Sequence, residues 1–183
     1  MATAEALMTA EEFGQRPDPG HPEELVQGKV VSMPPADQRH GFICLKVGRI
    51  LGNWVEERDL GRTMSNDSAV VTERGPDTVR GADITFYSYE RLRRGQLHKG
   101  YHSEIPELVI EVRSAHDRWR AIHKKVTEYL VAGVLVVVVL DPDSRSAHVF
   151  SPDDAPRVLG ADDELTLPGL LEGFSVRVGR FFE

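Results

Sequence analysis

Residues 107–141 read ELVIEVRSAHDRWRAIHKKVTEYLVAGVLVVVVLD, and their pattern decides the fold. Two apolar runs of strand length, 107–112 and 134–140, flank an amphipathic segment about five turns long. Strand, helix and strand in so few residues make a βαβ unit, whose two strands lie parallel in one sheet. The second run holds no polar residue, as expected of a central strand covered on both faces. The first run differs at one position. Glu111 interrupts it, and a carboxylate buried there without a partner loses several kcal/mol or shifts its pKa. Such a charge calls for a metal ion or a lysine.

The helix offers the lysine. Ser114 is the expected N-cap, with Asp117 as an acidic variant of the capping box, and Gly133 is the expected C-terminal glycine. With Trp119 set at 0° and about 100° per residue, Ile122, Val126, Tyr129 and Leu130 fall between roughly 280° and 20°, a single core-facing stripe. Lys125 then falls near 240°, beside the stripe, and Lys124 near 140°, away from it. Lys125 is therefore expected to reach along the sheet toward Glu111, with Lys124 in water.

Outward from this unit, Thr9-Ala-Glu-Glu12 fits a capping box for a short helix that stops by Pro17. Residues 23–33 read as a hairpin about Gln27-Gly28, ended by Pro34-Pro35. Asp37 caps a helix in which Ile43, Val47, Ile50, Leu51 and Trp54 recur at helical spacing, and which ends before Gly61. Residues 62–72 read as an extended edge strand, 73–78 as a turn, and 82–87 as a strand that begins with Asp83. Residues 88–105 form a polar, basic insertion. Downstream, Asp141-Pro142-Asp143-Ser144 is a turn, 147–150 pairs back as a strand, and segments around 168–170 and 174–176 close on the core. The expected fold is α/β, a central mixed sheet flanked by helices with an N-terminal β-hairpin. One domain over 1–183 accounts for the length, with 1–22 as a helical extension.

Composition narrows the class. A chain of 183 residues, 40% hydrophobic and 28% charged, matches an ordinary globular protein. No apolar run reaches the roughly 18 residues of a membrane span. The N-terminus lacks the basic region and apolar core of a secretory signal, so the cytoplasm is the expected compartment. Cys44, the lone cysteine, excludes a disulfide framework and a cysteine-based zinc site, and reads as an inert buried thiol. The net charge of −7 argues against a generic nucleic-acid binder. The charge is polarised, however: residues 90–125 are rich in Lys and Arg, and 141–172 in Asp and Glu.

No phosphate-cradling glycine loop, paired CxxC or HExxH helix is present. What stands out is an acid opening one strand (Asp83), an acid within the next (Glu111) and a lysine on the following helix (Lys125). Two carboxylates at neighbouring strand ends can hold Mg²⁺, a hard cation that prefers oxygen ligands. A nearby lysine can orient an attacking water and offset phosphate charge, so the set suits phosphodiester hydrolysis. Structural roles fit the same residues: Asp83 capping a strand, Glu111 paired with an arginine, and Lys125 lying along the surface.

A resemblance extends this reading. Asp83, then Glu111-Val112-Arg113-Ser114, then Lys125 followed after three residues by Tyr129-Leu130 and after two more by Gly133, resembles the Uma-type family of restriction endonucleases, within the PD-(D/E)XK nuclease superfamily. Glu24-Leu25-Val26-Gln27-Gly28 resembles that family's ELIDGE hairpin, and His40 its helix-start histidine. VVVVLDPDSR at 136–145, LPGL at 167–170 and GFSV at 173–176 resemble its tail. Ala82-Asp83 stands where the family has Pro-Asp, and Gln27-Gly28-Lys29 where it has Asp-Gly-Glu.

The resemblance implies a restriction-endonuclease-like core and a Mg²⁺-dependent endodeoxyribonuclease, with Mn²⁺ as a substitute ion. Asp83 and Glu111 are the implied metal ligands, and Lys125 the catalytic lysine, carried on the helix. Two residues after Glu111 stands Arg113, whose guanidinium stays protonated and cannot serve as a base. Glu24 and His40 are candidate additional site residues, although a histidine at a helix start is more often a cap or surface residue than a ligand, and Glu24 reads equally as a solvated hairpin charge. Arg91, Arg93, Arg94, Arg113 and Arg118 are candidate nucleic-acid contacts. DNA is the expected partner and a homodimer the candidate assembly; the alternative is a non-catalytic nuclease fold that binds nucleic acid or oligomerises.

Overall fold

The computed structural model describes residues 7–183, so residues 1–6 of the expected N-terminal extension lie outside the described residues. The extension's helix is α1, Ala10–Gly14, held by the expected capping box between Thr9 and Glu12. The hairpin follows as β1 (Glu23–Val26) and β2 (Lys29–Ser32), with Gln27 and Gly28 both at positive φ in the turn. Helix α2 spans Gln38–Glu57, and the Asp37 side chain accepts from the His40 N–H at its start. Among the described residues, no helix is long and apolar enough to cross a membrane.

Strands β3 (Gly61–Glu73) and β4 (Thr78–Ser88) form the long antiparallel pair of the sheet. The second of these is longer than its apolar pattern predicts. Asp83 lies mid-strand rather than at its start, because β4 begins at Thr78, with Val79 buried in a cluster with Leu25 of the hairpin and Ala10 and Phe13 of α1, and Arg80 buried between Glu24 and Glu128. The βαβ unit is present as β5 (Leu108–Val112), α3 (Trp119–Ala132) and β6 (Val136–Asp141), with β5 and β6 parallel. Then β7 (Ser146–Phe150) and β8 (Arg157–Leu159) extend the sheet antiparallel, while β9 (Glu164–Leu167) and β10 (Leu171–Arg177) form a separate pair.

One expected cap is corrected. The first residue of α3 is Trp119, and Arg118 occupies the N-cap without a side-chain bond. Ser114 instead donates its own N–H to Asp117 Oδ2 at 2.8 Å, closing a local turn that delays the helix. Gly133 does end α3 in the left-handed region, at φ 106°.

Alternation along β5 and β6 divides the core between two helices. Leu108, Ile110, Val112, Val138 and Leu140 face Ile43, Val47, Leu51 and Val55 of α2. The C-terminal residues Leu165, Leu171, Phe174 and Phe181 close that layer. Val109, Val137 and Val139 face Ile122, Val126 and Tyr129 of α3 on the other side. Each apolar residue so buried contributes about 1.5–3 kcal/mol, which is why neither strand tolerates a one-residue slip.

Candidate active site

The site forms where two strands part. One edge of β4 pairs with β3; the other is shared, with β1 joined at Val79 and β5 joined from Ile84 to Phe86. Between those two attachments residues 80–83 of β4 have no strand partner on that edge among the described residues, and the strands diverge around them. The β4–β5 ladder ends at Ile84 opposite Ile110, which sets Asp83 opposite Glu111. Side chains directly opposed in this way begin about 5 Å apart at Cβ. Asp83 Oδ2 caps the opened ladder by accepting the Val112 N–H at 2.7 Å.

Glu24 of β1 meets the pair from the other branch. It is buried: its Oε2 accepts from Arg80 at 2.7 Å, and its Oε1 accepts from the Gly81 N–H at 3.2 Å and from Lys125 Nζ at 2.9 Å. Lys125 stands 3.8 Å from Glu111 Oε2, and Tyr129 donates to Glu111 Oε1 at 2.7 Å. Arg80 continues to Glu128, with bonds of 2.6 and 3.0 Å. Lys125, Glu128 and Tyr129 are spaced i, i+3 and i+4, so one face of α3 supplies all three. Lys124 is more than half exposed and lies 3.7 Å from Glu128, away from Glu111.

The electrostatics follow from burial. Desolvation pushes the Glu111 pKa up to about 7; Lys125 pulls it down, and the Asp83 charge adds to the rise. For Lys125 burial alone would lower the pKa, but Glu111 and Glu24 outweigh it and the net shift is upward. Lys125 is thus a firmly held ammonium. His40 Nε2 lies 3.3 Å from Asp83 Oδ2 and its Nδ1 3.5 Å from Cys44 Sγ. The Asp83 bond, then that to Cys44, raises the His40 pKa to about 11, so an imidazolium faces the carboxylate pair. Cys44, expected to be an inert core thiol, is half-buried at this rim.

Three residues at the site, Asn66, Asp67 and Arg80, are not singled out by the sequence. Asn66 and Asp67 form a bulge in β3 opposite Asp83, both left-handed at φ 68° and 52°. Asp67 lines the site cavity, and burial followed by the Asp83 charge raises its pKa. Gly81 makes room for it, since a Cβ there would stand 3.0 Å from Asp67 Cβ. The Asn-Asp pair inside a strand pattern is the signal that could have found the bulge. Arg80 was hidden for a different reason: its partners are 56 and 48 residues away.

The donor set fits a hard divalent ion. Glu24, His40, Asp67, Asp83, Glu111 and Lys125 surround a cavity of about 150 Å³. Among the described residues no hydrogen bond reaches Asp83 Oδ1, and the nearest cation to Glu111 Oε2 is beyond hydrogen-bond distance. Each acid therefore keeps one oxygen uncommitted, on facing strands. The candidate contact arginines lie elsewhere. Arg91 is bonded to the carbonyls of Ile105, Pro106 and Gly133, Arg94 pairs with Asp59, and Arg113 pairs with Asp141 and Asp143. Arg93 and Arg118 are exposed, and none of the five lines the site cavity.

A mixed sheet between two helices, forked around paired carboxylates and a helix-borne lysine, defines a restriction-endonuclease-like α/β protein. The chain belongs to the Uma2 family, described as "Putative restriction endonuclease", whose model matches residues 10–179. A solved structure of "a putative nuclease belonging to DUF820" from Anabaena variabilis shares the fold at a TM-score of 0.79 and 19% identity, over 96% of this chain and 97% of that one. No curated protein matches the sequence.

Proposed function

We propose that this chain is a divalent-metal-dependent endonuclease that hydrolyses phosphodiester bonds in DNA, using Mg²⁺ or Mn²⁺. Family membership supports nuclease chemistry in general. The observation that carries the finer reading is the pairing of two uncommitted carboxylate oxygens, on Asp83 and Glu111, beside the Lys125 ammonium. Those oxygens would hold the ion, which when bound polarises a phosphoryl oxygen and makes a water more acidic. Lys125 offsets charge developing on the phosphate, and its raised pKa suits it to that role rather than to removing a proton. Glu24, itself held by Arg80, fixes the Lys125 amine. His40 steadies Asp83 from the α2 side.

The test is direct. The purified chain is incubated with supercoiled plasmid, single-stranded DNA and RNA, with Mg²⁺ or Mn²⁺ and with chelator. Metal-dependent cleavage of DNA that is absent in Glu111→Gln is expected. A chain that binds the metal, as seen by a rise in melting temperature, yet cuts none of the three would overturn the proposal. A homodimer is the proposed assembly, and light scattering on the eluted chain tests it.

A further inference from the structure

A cavity of about 810 Å³ opens beside the fork, between α2 and the first half of β3. It shares His40, Asp67 and Asp83 with the smaller site cavity, so it leads onto the paired carboxylates. On the helix side it is lined by Gly41, Gly48 and Gly52. Glycine within a helix lowers stability relative to alanine, and packing does not require it at the first two positions. A Cβ on Gly41 would meet nothing within 4 Å, and one on Gly48 would only touch Ile84 at 3.6 Å. Gly52 alone is tight, 3.1 Å from Thr63 Oγ1. What the glycines leave open is the groove itself.

Charge says what the groove takes. Arg49 and Arg62 line it, and neither has an ion-pair partner among the described residues. The Nε of Arg62 is buried with no hydrogen-bond partner among the described residues. Its guanidinium carbon lies 5.9 Å from the ring of Tyr89, another lining residue, and Arg94 stands over the same ring at 3.9 Å. Away from the fork the lining includes one acid, Glu56. Among the described residues β3 pairs only with β4, so its other backbone edge has no strand partner there.

We infer that this groove seats a single strand of DNA and delivers it to Asp83 and Glu111. The inference deepens the nuclease reading of the fork and rests on it. Binding to duplex DNA draws much of its affinity from phosphate contacts, of which a protein can make about six to ten; this groove offers two guanidiniums on a chain of net charge −7. Grooves for single strands need less charge, because bases stack on aromatic and guanidinium planes as well. Arg62 and Tyr89 supply such planes at the end away from the carboxylates.

Fluorescence anisotropy of the intact, metal-free chain tests this with three labelled probes of equal length: single-stranded DNA, single-stranded RNA and blunt duplex. Single-stranded DNA should bind at least roughly tenfold more tightly than duplex, and the Arg49→Ala/Arg62→Ala double variant should weaken it by a similar factor. Loss of two phosphate contacts should flatten the log–log salt slope by about 1.4. Gly41→Leu, built into open space, should block binding while the melting temperature is kept. Equal or tighter duplex binding, or unchanged binding in both variants, would overturn the groove. Equal RNA binding would overturn the assignment to DNA. The two readings fail separately: a chain that binds single strands here but never cuts with metal removes the nuclease and leaves the groove. A chain that cuts with unchanged KM in both variants does the reverse.

Discussion

Two buried acids sit at the ends of adjacent parallel strands, and they are treated in opposite ways. Asp141 closes β6 with both oxygens engaged: Oδ1 accepts from Arg113 at 2.8 Å and from the Asp143 N–H at 3.1 Å, and Oδ2 from Ser144 at 2.8 Å. Burial would raise its pKa, yet the bonds from Ser144 and Arg113 bring the net shift down. Glu111, one strand over, has a pKa raised to about 7 and one oxygen without a donor. A carboxylate that a fold needs is satisfied by the fold. One left raised and half-satisfied is held ready for something the chain itself does not contain.

The largest expected effect breaks the comparison at Glu111. Glu111→Gln keeps the shape and the Tyr129 contact but removes the charge, so metal-dependent cleavage should fall below detection. Removing a buried charge also relieves its desolvation, so the metal-free melting temperature should hold or rise. A fall would make Glu111 a structural acid like Asp141. Lys125→Ala comes next. Loss of one preorganised electrostatic donor lowers rates by about 10²–10³-fold, and calorimetry should find metal binding retained because both carboxylates remain. Asp141→Ala should behave in the opposite sense. It removes the closer of Arg113's two carboxylate partners and the bonds from Ser144 and the Asp143 N–H, and should cost about 1–3 kcal/mol of stability, with the cleavage rate per folded molecule unchanged.

pH sharpens the same contrast, with opposite signs at the two acids. Glu111 binds its proton more tightly folded than unfolded, so its contribution is full below about 4.5 and is lost as pH rises through about 7. His40, raised from 6.5 to about 11, continues that loss at higher pH. Asp141, with a lowered pKa, contributes above its ordinary value of 3.8 and loses that contribution as pH falls. Melting curves of the metal-free chain should therefore decline from pH 4.5 toward 7, and Glu111→Gln should flatten that segment. An unchanged slope in the variant would assign the decline to other groups.

What could be read from the sequence was local. The hairpin turn at Gln27-Gly28, the cap at Asp37, the α3 stripe and the lysine beside it all follow from spacing within about 20 residues, and the structure has each of them. The fork was out of reach, because it depends on β1 and β5 sharing one edge of β4 across long stretches of chain. Arg80 buried between Glu24 and Glu128, and the Asp67 bulge aimed at Asp83, follow from that same pairing. The basic insertion misleads for a related reason. A run of arginines displays charge, whereas the acceptors that engage Arg91 and Arg94 lie up to 42 residues away in sequence.

The smallest effect is the most discriminating for the lysine register. Lys124 and Lys125 are adjacent and chemically identical, and only the turn of the helix separates them. Lys125 is one-fifth exposed and wedged between Glu24 and Glu111; Lys124 is 56% exposed and lies 3.7 Å from Glu128 Oε1. Glu128 keeps both bonds to Arg80 when Lys124 is removed. An exposed substitution of this kind moves stability by no more than about 0.5 kcal/mol, and alanine recovers part of that through its helix propensity. Lys124→Ala should therefore melt with the parent chain and cut at a rate within roughly twofold of it, as judged against the 1.4 kcal/mol that a tenfold change requires. If Lys124→Ala and Lys125→Ala lose cleavage together, the ammonium acts through the overall positive charge of α3 rather than at Glu111. The contrast between a satisfied acid and a waiting one would then no longer locate the chemistry.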